Sequence, residues 1–267
     1  MHVLSDVSVI APGTARRRRH NIFSGLAVTL LCTTPGLAAE PACQLMPAGS
    51  VTVTGARDGR TLMLADGREL RLAAIEAPPE SRAALQALAG AGQLRLATLG
   101  EASDRYGRVV AFAFPGEAGE SLQQALIAQG RARVASRVGD RTCAQNLLAA
   151  ERAARAARRG LWGDPNFAPL AAENTTGIQA RAGQFALVEG KVLSVRESGA
   201  TIYVNFARRF REGLSVTVLR RLSRGFASAG VDVKALEGRR VRVRGFIERG
   251  RGPVIDVSHA EQIELIE

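Results

Sequence analysis

Histidine, lysine and cysteine are scarce in this chain, and no long hydrophobic run occurs. The only histidines are His2, His20 and His259, so no Cys/His cluster exists and the common zinc sites are excluded. Lysine appears only at Lys191 and Lys234, so the net charge of +11 is carried almost wholly by arginine. Part of that load reflects an Ala-, Gly- and Arg-rich composition. A strongly basic chain nevertheless attracts polyanions, nucleic acid first and anionic membrane surface second. Apolar residues make up 46%, which places the chain among globular rather than disordered sequences.

The main apolar run, Ile22 to Cys32, is too short and too polar for a membrane-crossing helix. It follows Arg16-Arg17-Arg18-Arg19 and precedes the small-residue exit Gly36-Leu37-Ala38-Ala39, the layout of a secretory signal peptide. The expectation is a leader over 1–39, export to the periplasm or medium, and no stable membrane insertion once it is removed. An uncleaved anchor is the alternative. Loss of the leader leaves Cys43 and Cys143, which in an oxidising compartment form a disulfide or else stay as buried thiols.

Residues 51–56, 61–65 and 68–75 read as a three-strand meander, joined by the turn formers Asp58-Gly59 and Asp66-Gly67. Helices are expected over 80–89, 121–129 and 144–159, and further strands over 93–99 and 108–114. This is an α+β pattern: a five-stranded barrel of the OB type with three helices, spanning 40–163. Residues 164–183 read as a linker by composition. Residues 184–267 read as a second small β-rich, barrel-like domain. In it, alternation places Arg240, Arg242 and Arg244 on one strand face. With Tyr203, Phe206, Phe210 and Phe246 nearby, that face is a candidate surface for single-stranded nucleic acid, or simply a solvated strand face.

Four landmarks stand in order between residues 51 and 163. They are Asp58-Gly59-Arg60-Thr61, then Arg71-Leu72-Ala73-Ala74-Ile75-Glu76-Ala77-Pro78, then Asp104-Arg105-Tyr106-Gly107-Arg108, and last Gly160-Leu161-Trp162. Together they resemble the staphylococcal-nuclease-like, or thermonuclease, family. The resemblance implies an OB-barrel fold and calcium-assisted phosphodiester hydrolysis of DNA or RNA. By the same resemblance Arg71 and Arg108 are catalytic and fork onto the phosphate oxygens as charge builds in the transition state. Asp58 and Glu76 match metal carboxylates, and Tyr106 either stacks on a base or packs.

Three departures accompany the likeness. Arg60 stands where the family carries a second turn carboxylate. Glu76 replaces an aspartate. Pro79 shifts the expected base by one residue, so Glu80 is either that base or an acid favoured by a helix N-terminus. A guanidinium about 4 Å from a calcium ion would be repelled by roughly 8 kcal/mol at an effective dielectric of ~20. Three functions follow as expectations: a phosphodiesterase with reduced or altered metal dependence, a catalytically inactive barrel that binds nucleic acid or another anionic polymer, or an envelope protein-interaction module.

Overall fold

A computed structural model of the chain describes residues 43–100, 103–116, 119–209, 212–249 and 252–266. The expected leader and Cys32 lie outside the described residues. Along the chain come β1 (Met46–Ala56), β2 (Thr61–Leu64), β3 (Glu69–Leu72) and the short β4 (Ile75–Glu76). They are followed by α1 (Arg82–Ala89), β5 (Gly92–Thr98), β6 (Val109–Pro115), α2 (Leu122–Ala128), β7 (Arg133–Val134) and α3 (Arg141–Ala156). Five of these strands close into a barrel in the order β1-β2-β3-β6-β5. β3 and β6 run parallel, the other barrel pairs antiparallel. Alternation drives the closure: Val53, Leu62, Leu70, Leu94 and Phe112 all fall inward and share one core with Leu85, Leu126 and Leu147 of the helices.

The two Asp-Gly turns work differently. Gly67 adopts φ +84°, the left-handed conformation expected of such a turn. Gly59 has no positive φ, but a Cβ there would collide with the Pro78 carbonyl, so glycine is needed for close approach. Between β3 and β4 the expected single strand breaks. Ala74 sits at φ 64°, turning the chain so that Ile75 and Glu76 pair with Val134 and Arg133 of β7 instead of continuing the barrel.

α3 begins earlier than its apolar stripe suggests, because the Asp140 side chain caps it by accepting from the Cys143 N–H at 2.8 Å. Cys143, in that first turn, is bonded to Cys43 across 100 residues, pinning the segment before β1 to α3.

Beyond the barrel come β8 (Leu170–Ala171), α4 (Thr175–Gln179), β9 (Phe185–Lys191), β10 (Ser194–Ser198), β11 (Thr201–Asn205) and β12 (Ser215–Leu219). Then follow α5 (Ser223–Ser228), β13 (Arg240–Phe246), β14 (Val254–Val257) and β15 (Ile263–Ile266). The strands form two four-stranded sheets, β10-β11-β12-β14 and β15-β13-β9-β8. Val188, Val204, Val216, Val241 and Val243 fill a shared core. The segment read as a linker is packed: β8 joins β9, and Ala172 and Ile178 are fully buried.

The described residues belong to one compact unit. Its central fastening is ionic. Arg244 of β13, 0% exposed, donates to both carboxylate oxygens of Glu151 on α3, each at 2.9 Å, and also pairs with Glu264. Glu151 accepts from the Val134 N–H at 2.6 Å, while Arg244 donates to the Val134 carbonyl at 3.1 Å. Trp162 packs with Ala154, Phe185 and Leu187 beside this network.

Candidate phosphate-binding site

The Asp58 turn, the end of β3, the β4 ribbon and the start of β6 bring their charged side chains together. Asp58 Oδ1 accepts from the Arg60 N–H at 2.9 Å, fixing the turn. Arg60 then reaches across to ion-pair with Glu76 and donates to the Ile75 carbonyl at 3.2 Å. Both side chains are mostly buried.

Arg71 lies between the buried Leu70 and Leu72 in sequence, and so projects from the opposite face of β3. It is half-buried and makes no hydrogen bond or ion pair among the described residues. Burial lowers its guanidinium pKa, the charges of Arg60 and Arg108 add to that, and Glu76 and Asp58 oppose it. Arg71 stands opposite Thr61 of β2 and Val110 of β6, which sets it beside Arg60 and near Arg108, and Arg60 brings Glu76 with it.

Arg108 is held by Asp104, with Nε and Nη2 donating to Oδ2 at 2.8 and 2.7 Å. The other Asp104 oxygen accepts from the N–H groups of Tyr106 and Arg108, at 2.9 and 3.1 Å. Partial burial opposes ionisation of Asp104, but these hydrogen bonds prevail and hold its pKa below the usual carboxylate value. Tyr106 is 67% exposed and flanked by the guanidiniums of Arg105 and Arg108, 4.8 and 5.3 Å from its ring centre. Tyr106 and Arg108 also line an open groove of about 490 Å3 with Arg57, Arg68 and Glu69.

Glu80 is exposed on the 3-10 turn Pro79–Ser81 and has no hydrogen bond or ion pair among the described residues.

The residues present do not fit a calcium ion. Calcium takes six to eight oxygens, largely from carboxylates and carbonyls. Here the Glu76 carboxylate and the Ile75 carbonyl both face Arg60, and one Asp58 oxygen is committed to the turn. Among the described residues no three His, Cys, Asp or Glu side chains group as ligands.

The β13 arginines need correction as a nucleic-acid surface. They do share a face, but α3 covers it. Arg244 is fully buried against Glu151, and Arg242 pairs with Glu189 at 2.6 Å and Glu264 at 3.5 Å. Only Arg240 is exposed. Alternation revealed the shared face and could not reveal its cover. Sequence reading also missed Arg133, the cross-strand partner of Glu76. It is 8% exposed, with its guanidinium 5.0 Å from the Phe185 ring centre, and burial pushes its pKa down to about 10. No motif marks it.

A closed five-stranded mixed barrel with packed helices and a guanidinium cluster where β3 and β6 run side by side defines an OB-like α+β protein. Residues 69–164 match the model of the family of staphylococcal nuclease homologues. No curated protein matches the chain.

Proposed function

We propose that the barrel binds the phosphodiester backbone of DNA or RNA at Arg71, flanked by Arg60 and Arg108, without a resident calcium ion. The observation that carries this reading is Arg71. A half-buried guanidinium whose side chain makes no hydrogen bond or ion pair among the described residues, beside two further guanidiniums, is suited to take an anionic oxygen pair. A phosphate can take two parallel N–H bonds from Arg71, and Arg108 can join only by giving up its pair with Asp104.

Hydrolysis asks for more. An attacking water needs a base, and Glu76, the carboxylate that acts most strongly on Arg71, is already neutralised by Arg60. The family's calcium-assisted reaction is therefore read as lost while its phosphate recognition is kept. The disulfide, together with the leader read from residues 1–39, supports export to an oxidising compartment.

Titration of labelled single-stranded DNA and RNA tests this, with calcium, with magnesium and with chelator. Binding is expected to be equal in all three buffers and at least tenfold weaker in Arg71→Ala. Calcium-stimulated cleavage, or unchanged affinity in Arg71→Ala, would overturn it.

A further inference from the structure

The outer face of the β10-β11-β12-β14 sheet carries a second, separate set of nucleic-acid features. Its rows alternate strictly. Val195, Val204, Val216 and Ile255 stand side by side and turn into the core. The next row, Arg196, Tyr203, Thr217 and Asp256, therefore faces outward, putting an aromatic ring mid-sheet with an exposed arginine directly beside it.

Tyr203 lines a hollow of about 340 Å3 with Leu219 and Leu222. Leu219 also borders an adjoining open hollow of about 560 Å3, lined by Arg220, Arg221, Arg224, Ser223 and Ala200. No carboxylate lines that second hollow. Its three arginines are exposed and make no side-chain hydrogen bond or ion pair among the described residues. The nearest carboxylate influence comes from Glu197, which is itself held by Lys234. This contrasts with Arg242 and Arg244, whose charges are spent inside the fold.

The geometry points to a single-stranded nucleic-acid platform on this sheet, with a base stacked on Tyr203 and the following phosphates on Arg220, Arg221 and Arg224. An aromatic–apolar seat adjoining a basic track is what unpaired strands require, since a stacked duplex offers no free base face. Asp256 lines the Tyr203 hollow on its β14 side and accepts from the Thr217 hydroxyl, so phosphate is disfavoured there and runs instead along the arginines. The inference builds on the nucleic-acid reading of the barrel, but a different surface carries it.

The test uses the full chain in the Arg71→Ala background, so that the barrel site is silent, with a fluorescein-labelled dodecathymidylate and a duplex of equal length. Each lost phosphate contact lowers the slope of log Kobs against log salt by about 0.7 for single strands. The Arg220→Ala/Arg221→Ala/Arg224→Ala variant should therefore lose about 2 from that slope. Tyr203→Ala should weaken single-strand binding roughly tenfold and leave duplex binding unchanged, whereas Tyr203→Phe should retain it. The proposal is overturned if the triple variant keeps the parental slope. It also falls if Tyr203→Ala binds single strands as the parent does, or if only anionic phospholipid vesicles respond to the triple substitution. Failure of the barrel reading has a different signature: Arg71→Ala alone binds both probes as tightly as the unaltered chain.

Discussion

Arg60 and Asp104 both hold site charges in fixed pairs, and each can be tested alone. The Arg60 guanidinium lies against Glu76 and the Ile75 carbonyl, so it fills the place a cation would occupy. Arg60→Asp should free Glu76 and add a carboxylate to the turn. Calcium should then raise the melting temperature of that variant and leave the parent unmoved. Saturation at 100 times Kd corresponds to about 2.7 kcal/mol. A variant that ignores calcium would show that more than one ligand is missing. Asp104→Asn asks the converse question of Arg108. The amide oxygen can still accept from the Tyr106 and Arg108 N–H groups, but it no longer holds the guanidinium by charge. Affinity for single-stranded DNA should rise by up to about fivefold, the ~1 kcal/mol scale of an exposed ion pair.

At the scale of elements, the Cys43–Cys143 bond is the clearest case of a feature legible in the sequence. Subtracting the leader left two cysteines, and the structure joins them, tying the segment before β1 to the first turn of α3. A chain-entropy estimate for a loop of this length is about 4.7 kcal/mol, as an upper value. Dithiothreitol should lower the unfolding free energy of the parent, read from urea denaturation, by up to that amount and leave Cys143→Ser unaffected. The barrel strands and three helices were legible for a similar reason, since their apolar periods and turn residues are local signals. The break after Leu72 was not, because it depends on Ala74 adopting a positive φ so that β4 can pair with a strand 58 residues away. Of the site, the sequence showed residue types only; the cross-strand register that sets Arg71 opposite Thr61 and Val110, and so beside Arg60 and Arg108, depends on how β2, β3 and β6 pair. The Arg60–Glu76 pair was half visible: sequence showed a displaced carboxylate, and only the fold showed which acid the arginine neutralises.

Across the whole molecule, the C-terminal sheets are fastened to the barrel by charges that water does not reach. Arg244 and Glu151 are both 0% exposed, and their bonds converge on Val134, whose strand is the partner of the Glu76 strand. Burial opposes ionisation of Glu151, but the charge and hydrogen bonds of Arg244, the Val134 N–H and Arg155 prevail and lower its pKa. A carboxylate with a lowered folded pKa contributes stability fully above its unfolded value. That contribution is lost as pH falls through the folded one. Stability should therefore begin to fall as pH drops through the ordinary carboxylate range and keep falling below it, and in Glu151→Gln this acid-dependent component should be missing. Glu151→Gln also leaves the Arg244 guanidinium buried against a neutral amide, with Glu264 as its remaining acid. Breaking one partner of such a pair typically costs about 3–5 kcal/mol, whereas replacing both with apolar side chains of similar volume is often near neutral. Urea denaturation should accordingly show Glu151→Gln strongly destabilised and Glu151→Leu/Arg244→Met much closer to the parent. If the double variant were as unstable as the single one, Val134 would depend on the polar atoms themselves. In that case anion affinity at Arg71 should fall in both variants, because β7 holds the strand that carries Glu76.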